Sequence, residues 1–131
     1  KLELENILWK NFIPLEDLQH SLAACHVSLV SLSVGLEGVA VPCKLYGILA
    51  SGRAVVAQVP EKSEVAMCVQ ENECGVVTPP GDADSLKNVL LYLKDNIEIT
   101  KKMGDNAFTA YQENYTLQIA SARMKDLLLT P

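Results

Sequence analysis

The chain has 131 residues, 49% of them hydrophobic and 21% charged, with 7 Gly, 6 Pro and a formal charge of −5. That is the composition of one globular domain with a real core, and it excludes a disordered or fibrous chain. No apolar run approaches the roughly 18 residues of a membrane helix, and the acidic balance without a basic stripe excludes sequence-independent nucleic-acid binding, which works by displacing counterions from phosphates.

In chain order, residues 7–12 form a short apolar run with β-formers, broken by Pro14. Leu15, Leu18, Leu22 and Cys25 then recur at helical spacing, so a strand followed by an amphipathic helix is expected. Residues 27–32, VSLVSL, read as a second strand, followed by a loop over 33–41 that carries Gly35 and Gly38. Pro42 suits the first turn of a helix, where its missing N–H is no loss. Leu45, Ile48 and Leu49 supply that helix with an apolar face, and Gly52 stops it. Residues 54–59, AVVAQV, are nearly continuously apolar, as strands of covered parallel sheets are. Ser63 is the expected N-cap of the next helix, through Val65, Cys68 and Val69. Residues 75–78 read as a fourth strand, and Pro79, Pro80 and Gly81 as a hard turn before a helix capped by Asp82. The inner stripe of that helix is Leu86, Val89, Leu90 and Leu93. Beyond residue 96 only helical periodicity remains: Ile99, Met103, Ala107 and Tyr111, then Leu117, Ala120, Met124, Leu127 and Leu128. The fold class is therefore α/β, a Rossmann-like parallel sheet with helices on both faces and a helical tail over 97–131.

The four cysteines, Cys25, Cys43, Cys68 and Cys74, contain no C-x-x-C, and His20 and His26 have no Cys or carboxylate at ligand spacing. No metal site and no disulfide framework is expected; the thiols read as reduced and mostly buried, in a cytoplasmic protein. The two histidines also lack partners for a hydrolase triad. Neither G-x-G-x-x-G nor G-x-x-x-x-G-K-[ST] occurs, against a dehydrogenase or a P-loop NTPase. Trp9 and Tyr46 read as packing residues. Glu61, Glu64, Glu71 and Glu73 read as a solvated face, Glu64 standing nearest the expected site.

Ligands of parallel α/β sheets sit beyond the carboxyl ends of the strands. The richest loop there is 33–41, leading into Pro42, Cys43 and Lys44. Its glycines admit a ligand to the backbone, the helix start offers N–H groups to a phosphate, and Lys44 adds a charge.

The segment V-P-C-K-L-Y-G-I-L-A-S-G-R-A-V-V-A, residues 41–57, resembles the donor-binding segment of glycosyltransferase family 4, of the GT-B fold, whose common form is V-P-S-K-L-Y-E/G-x-L-A-A/S-G-R/K-P-V. Residues 12–18, the A-A-C-H-V-S-L step at 23–29, the G-V-V-T-P-P-G-D turn at 75–82 and the tail with Gly104, Ala107 and Tyr115 agree in order. The resemblance implies that residues 1–131 are one nucleotide-sugar (donor) binding domain, the later part of the C-terminal domain of a two-domain enzyme. The lack of an initiator Met agrees with a piece of something longer. It implies a retaining sugar transfer without a bound metal or cofactor, from a UDP- or GDP-linked sugar to a saccharide or lipid-linked acceptor held by the missing N-terminal domain. Polysaccharide or glycolipid biosynthesis, peripheral membrane association of the full-length protein and inactivity of this chain alone follow from the same resemblance.

Carried onto this sequence, Val41, Pro42, Cys43 and Lys44 meet the diphosphate, Glu37 and Gly38 approach the sugar, and Phe12 and Ile13 meet the nucleobase. Glu37 and Lys44 are the catalytic candidates. The family's E-x7-E pattern is broken. Its second Glu, which holds the ribose, corresponds to Gly47, and Val39 stands eight residues before it. Cys43 stands where Ser is usual. The rival readings are a flavodoxin-like binding or regulatory domain and a non-hydrolysing sugar-nucleotide epimerase of the same fold.

Overall fold

The computed structural model describes residues 4–129. After a 3-10 turn at Leu15–Asp17 come α1 (Leu18–Ala23), β1 (Val27–Ser31), α2 (Lys44–Ala50), β2 (Ala54–Gln58), α3 (Glu64–Glu71), β3 (Gly75–Thr78), α4 (Ala83–Asp95), α5 (Ile97–Asn114) and α6 (Leu117–Leu129). The strands form one parallel sheet in the order β1-β2-β3, with Leu29 opposite Val56 and Val56 opposite Val76. The sheet is Rossmann-like, flanked by helices and followed by a helical tail.

Burial explains the order. Ala54, Val55, Val56 and Ala57 of β2 are all inaccessible, so β2 must be the middle strand, covered on both faces. Val55, Ala57 and Val59 join Leu45, Ile48 and Leu49 of α2 and Val65, Ala66 and Val69 of α3 in the main core. β1 instead alternates, with Ser28 and Val30 buried and Leu29 and Ser31 exposed. The helix caps fall where expected: Ala66 N–H donates to Ser63 Oγ at 3.2 Å, and Ser85 N–H to Asp82 Oδ1 at 2.9 Å.

Several expectations fail, among them Leu90 of the expected inner stripe of α4 and Leu15 and Leu18 of the first helix, which are exposed. The strand over 7–12 does not form, so among the described residues the sheet has three strands, not four. Trp9, expected in the core, is 87% exposed, and Phe12 is 95% exposed. The reason lies in the period-2 pattern: one face would carry Ile7, Trp9 and Asn11, the other Leu8, Lys10 and Phe12, and neither is uniformly apolar. The apolar stripe of α6 exists, but Leu117, Met124, Leu127 and Leu128 are all exposed, and no described residue of the helix is buried. In α5 the buried face is Thr100, Gly104, Ala107 and Ala110 rather than one starting at Ile99. It is set by close backbone approach: a Cβ on Gly104 would stand 2.5 Å from the Gly52 carbonyl oxygen, in the turn between α2 and β2.

α3 ends in a Schellman motif. Cys74 N–H donates to Val69 O and Glu73 N–H to Gln70 O, both at 3.1 Å, the 6→1 and 5→2 bonds of that cap. The left-handed position, normally Gly, is Glu73 at φ +48°. Asn106 Nδ2 on α5 donates to its carbonyl at 3.0 Å.

Two stability predictions follow from these contacts. Glu73→Gly relieves a left-handed conformation that is costly for a residue with a Cβ, so urea denaturation should show a gain of about 1 kcal/mol. Gly104→Ala forces α5 off the Gly52 turn and should lower stability by about 2 kcal/mol in the same measurement.

Candidate functional site

All three strands point the same way, so the segments after β1, β2 and β3 and the starts of α2, α3 and α4 share the carboxyl edge of the sheet. The loop after β1 is the most elaborate. Gly35 and Gly38 hold φ of +88° and +74°, with open space where a Cβ would sit. A carboxylate oxygen of Glu37 accepts the Gly35 N–H at 2.6 Å, which closes the loop on itself. Val39 and Ala40 N–H groups then donate to Leu36 O at 3.2 and 3.1 Å. Val41 is exposed and Pro42 partly buried before the helix begins.

Cys43 caps α2 without a side-chain hydrogen bond, and its thiol is exposed. The first turn is tight: Leu45 N–H donates to Pro42 O at 3.0 Å and Tyr46 N–H to Cys43 O at 3.2 Å. An anion at this end therefore meets the amides before Leu45. With only seven residues in α2, the side chain of Lys44 has to supply most of the positive charge.

Lys44 Nζ donates to the Leu29 carbonyl at 3.0 Å. Leu32 N–H reaches across to Gln58 O on β2. The even-numbered residues of β1 therefore turn their backbone groups inward, and Leu29 turns its own to the open edge. Lys44 thus lies over the unpaired edge of β1. Among the described residues no ion pair joins it to Glu37, so the two catalytic candidates share a loop and helix start but not a contact. Phe12 and Ile13 lie in the extended stretch before Leu15, with no described hydrogen bond to the sheet.

Gly47 sits on the outer face of α2, where a Cβ would meet Leu22 Cδ1 of α1 at 3.1 Å. It borders two open grooves. One, of about 760 Å³, runs between α1 and α2 past Leu15, Leu18, Leu22 and Ala50. The other, of about 640 Å³, lies between α2 and the α5–α6 corner and is lined by Tyr46, Tyr111, Tyr115 and Arg123. The Tyr46 and Tyr115 rings pack with centroids 5.2 Å apart at 49°, which explains Tyr46 as a packing residue and adds Tyr115 beside it.

The other two loops are stiffer. Gln58 Nε2 donates to Asp82 O at 3.3 Å, tying the turn after β3 to the end of β2. The Ser85 hydroxyl and amide hold the Asp82 carboxyl below the usual carboxylate range. Sequence reading missed Thr78. Its Oγ1 is buried with no partner at the end of β3, beside a cleft of about 280 Å³ that Glu61 and Gln70 also line. Among the described residues no group of three or more His, Cys, Asp or Glu gathers to hold a metal ion, and no helix is long and apolar enough to cross a membrane.

The loop geometry makes Glu37 a stiffening residue whatever else it does. Glu37→Gln should exchange a charged acceptor for a weaker neutral one and speed amide hydrogen exchange at Gly35 about tenfold, with the core amides of β2 unchanged. Compared with known proteins, the chain matches no family model and no solved structure. Among curated proteins it is similar to Probable glycosyltransferase WbjE of Pseudomonas aeruginosa, 32% identical over 78 residues, or 60% of this chain and 20% of that protein. The chain therefore spans about a fifth of the relative's length and is similar, over that stretch, to a glycosyltransferase.

Proposed function

We propose that this chain is the donor-binding part of a retaining glycosyltransferase of family 4 with GT-B architecture. It would transfer a sugar from a UDP- or GDP-linked donor to a saccharide or lipid-linked acceptor in polysaccharide or glycolipid assembly. The observation that carries the reading is the similarity to a glycosyltransferase. A glycine-containing loop at the carboxyl edge of a parallel sheet, leading directly to Lys44, supports it.

In this reading residues 1–131 form one domain whose acceptor-side partner lies outside the chain, so the chain alone is inactive. The donor diphosphate lies across Gly38, Val41, Pro42 and Cys43, where the backbone is exposed or glycine-lined. Lys44 exchanges its bond to Leu29 for one to the diphosphate. As the sugar–phosphate bond breaks, negative charge builds on the leaving diphosphate, and an ammonium in place beforehand stabilises it without reorganisation. Glu37, fixed to Gly35, presents its remaining oxygen capacity toward the sugar. Phe12 and Ile13 offer apolar surface to the base. With Gly47 in place of a carboxylate, α2 offers the ribose no acceptor, so the diphosphate and the base supply a larger share of the affinity.

The test is a thermal-shift panel with UDP, GDP, ADP and their common sugar conjugates, on this chain and on Lys44→Ala. A nucleotide at 100 times its Kd should add about 2.7 kcal/mol of stability, seen for one base and lost in Lys44→Ala. No shift with any nucleotide, here and with the acceptor-side domain restored, would overturn the reading.

A further inference from the structure

We propose that Cys68 and Cys74 form a peroxide-reactive dithiol, in which a hydroperoxide oxidises Cys68 and Cys74 then closes a disulfide with it. The proposal is independent of the sugar-transfer reading.

The geometry comes from the cap of α3. In a Schellman motif the residue after the left-handed position packs against the residue four positions back from the helix cap. Those residues are Cys74 and Cys68. Helix termination thus brings together two thiols six positions apart. The Cys74 thiol donates to the Cys68 carbonyl oxygen at 4.0 Å.

Cys68 is also the focus of other donors. The Tyr115 hydroxyl of the α5–α6 corner donates to its sulfur at 3.5 Å, and Asn72 Nδ2 approaches it at 3.9 Å. Two donors, one from the cap of α3 and one from the α5–α6 corner, converge on one sulfur, an arrangement that favours its anion. The neighbouring Cys74 thiol, then the hydrogen bonds of Tyr115 and Asn72, outweigh burial and the charge of Glu71, and the Cys68 thiol is held down at about 6. The same contact, with burial, pushes Cys74 up and keeps it protonated. The pair is therefore divided into a nucleophile and a resolving thiol. Cys68 retains 7% exposure, and Tyr115, its hydrogen-bond donor, lines the groove beside α2.

In the first step the Cys68 thiolate sulfur attacks one peroxide oxygen, the O–O bond breaks, and hydroxide leaves and is protonated to water. Cys68 becomes a sulfenic acid, oxidised by two electrons, while the peroxide is reduced. In the second step Cys74 gives up its proton and its sulfur attacks that of Cys68. The S–S bond forms, the S–O bond breaks, and the departing hydroxide takes a proton to become a second water.

The experiment treats the chain with hydrogen peroxide, quenches, alkylates free thiols under denaturing conditions and maps peptides. Both cysteines fall in the tryptic peptide 63–87, so the disulfide shows as that peptide two hydrogens lighter and unalkylated. Cys68 should be lost about tenfold faster than the exposed Cys43, whose thiol has no such donors. Cys74→Ser should leave a sulfenic acid on Cys68, trapped by dimedone. Tyr115→Phe, a surface-proximal change that keeps the ring, should slow Cys68 oxidation about fivefold with an unchanged thermal melt. Cys43 reacting as fast as Cys68, or peptide 63–87 remaining fully alkylatable, would overturn the proposal. An unchanged rate in Tyr115→Phe would overturn the convergence of donors as its cause.

Discussion

A strand covered on both faces has no place for a polar side chain, and β2 meets that demand with Ala-Val-Val-Ala before its first polar residue, Gln58. Everything else is arranged around that burial. α2 and α3 are held against β2 by the same core that buries Val55 and Ala57, so their starts come to one edge of the sheet. α5 must lie close enough to the α2–β2 turn that only a glycine, Gly104, fits at the crossing. Gln58, the first residue of the strand released from burial, spends its amide on the turn after β3. The site edge is thus a by-product of how the middle strand is covered.

At that edge the loop after β1 combines two kinds of rigidity. Its glycines allow a backbone path that other residues would strain, and Glu37 then fixes the path with a charge-assisted bond to Gly35. Lys44 stands at the junction of loop and helix, its stem spanning from the start of α2 to the middle of β1. The smallness of Gly47 and Ala50 leaves the outer face of α2 shallow, with a groove on either side.

The strands that formed are those whose patterns admit one interpretation. Residues 54–58 are apolar without interruption, and 27–31 alternate cleanly enough to set an edge strand. The caps at Ser63 and Asp82 were legible because a hydroxyl or carboxylate three residues before an amide has one obvious use. Residues 7–12 are apolar in content, but neither face of a strand there would be uniformly apolar. The stripe of α6 shows the opposite limit. Periodicity reveals that a helix has an apolar face, but not whether anything lies against it. Of the site, the loop and Lys44 could be found from sequence. The bond from Lys44 to a strand fifteen residues earlier could not, nor could the meeting of Tyr115 with Cys68, since each joins elements distant along the chain; the orphan hydroxyl of Thr78 depends on what the fold leaves around it.

The place where Lys44 rests has a bearing on how the molecule behaves among its own copies. Among the described residues β1 is an edge strand with an exposed Leu29 and outward-facing backbone groups, the kind of surface on which a second chain can add a strand. A charged ammonium laid across its middle blocks that addition, as lysines on natural sheet edges do. On the proposed function the same ammonium is drawn away whenever a diphosphate occupies the loop. Solubility and ligand occupancy are then competing demands on a single side chain, and the unliganded chain is the form better protected against edge-to-edge association.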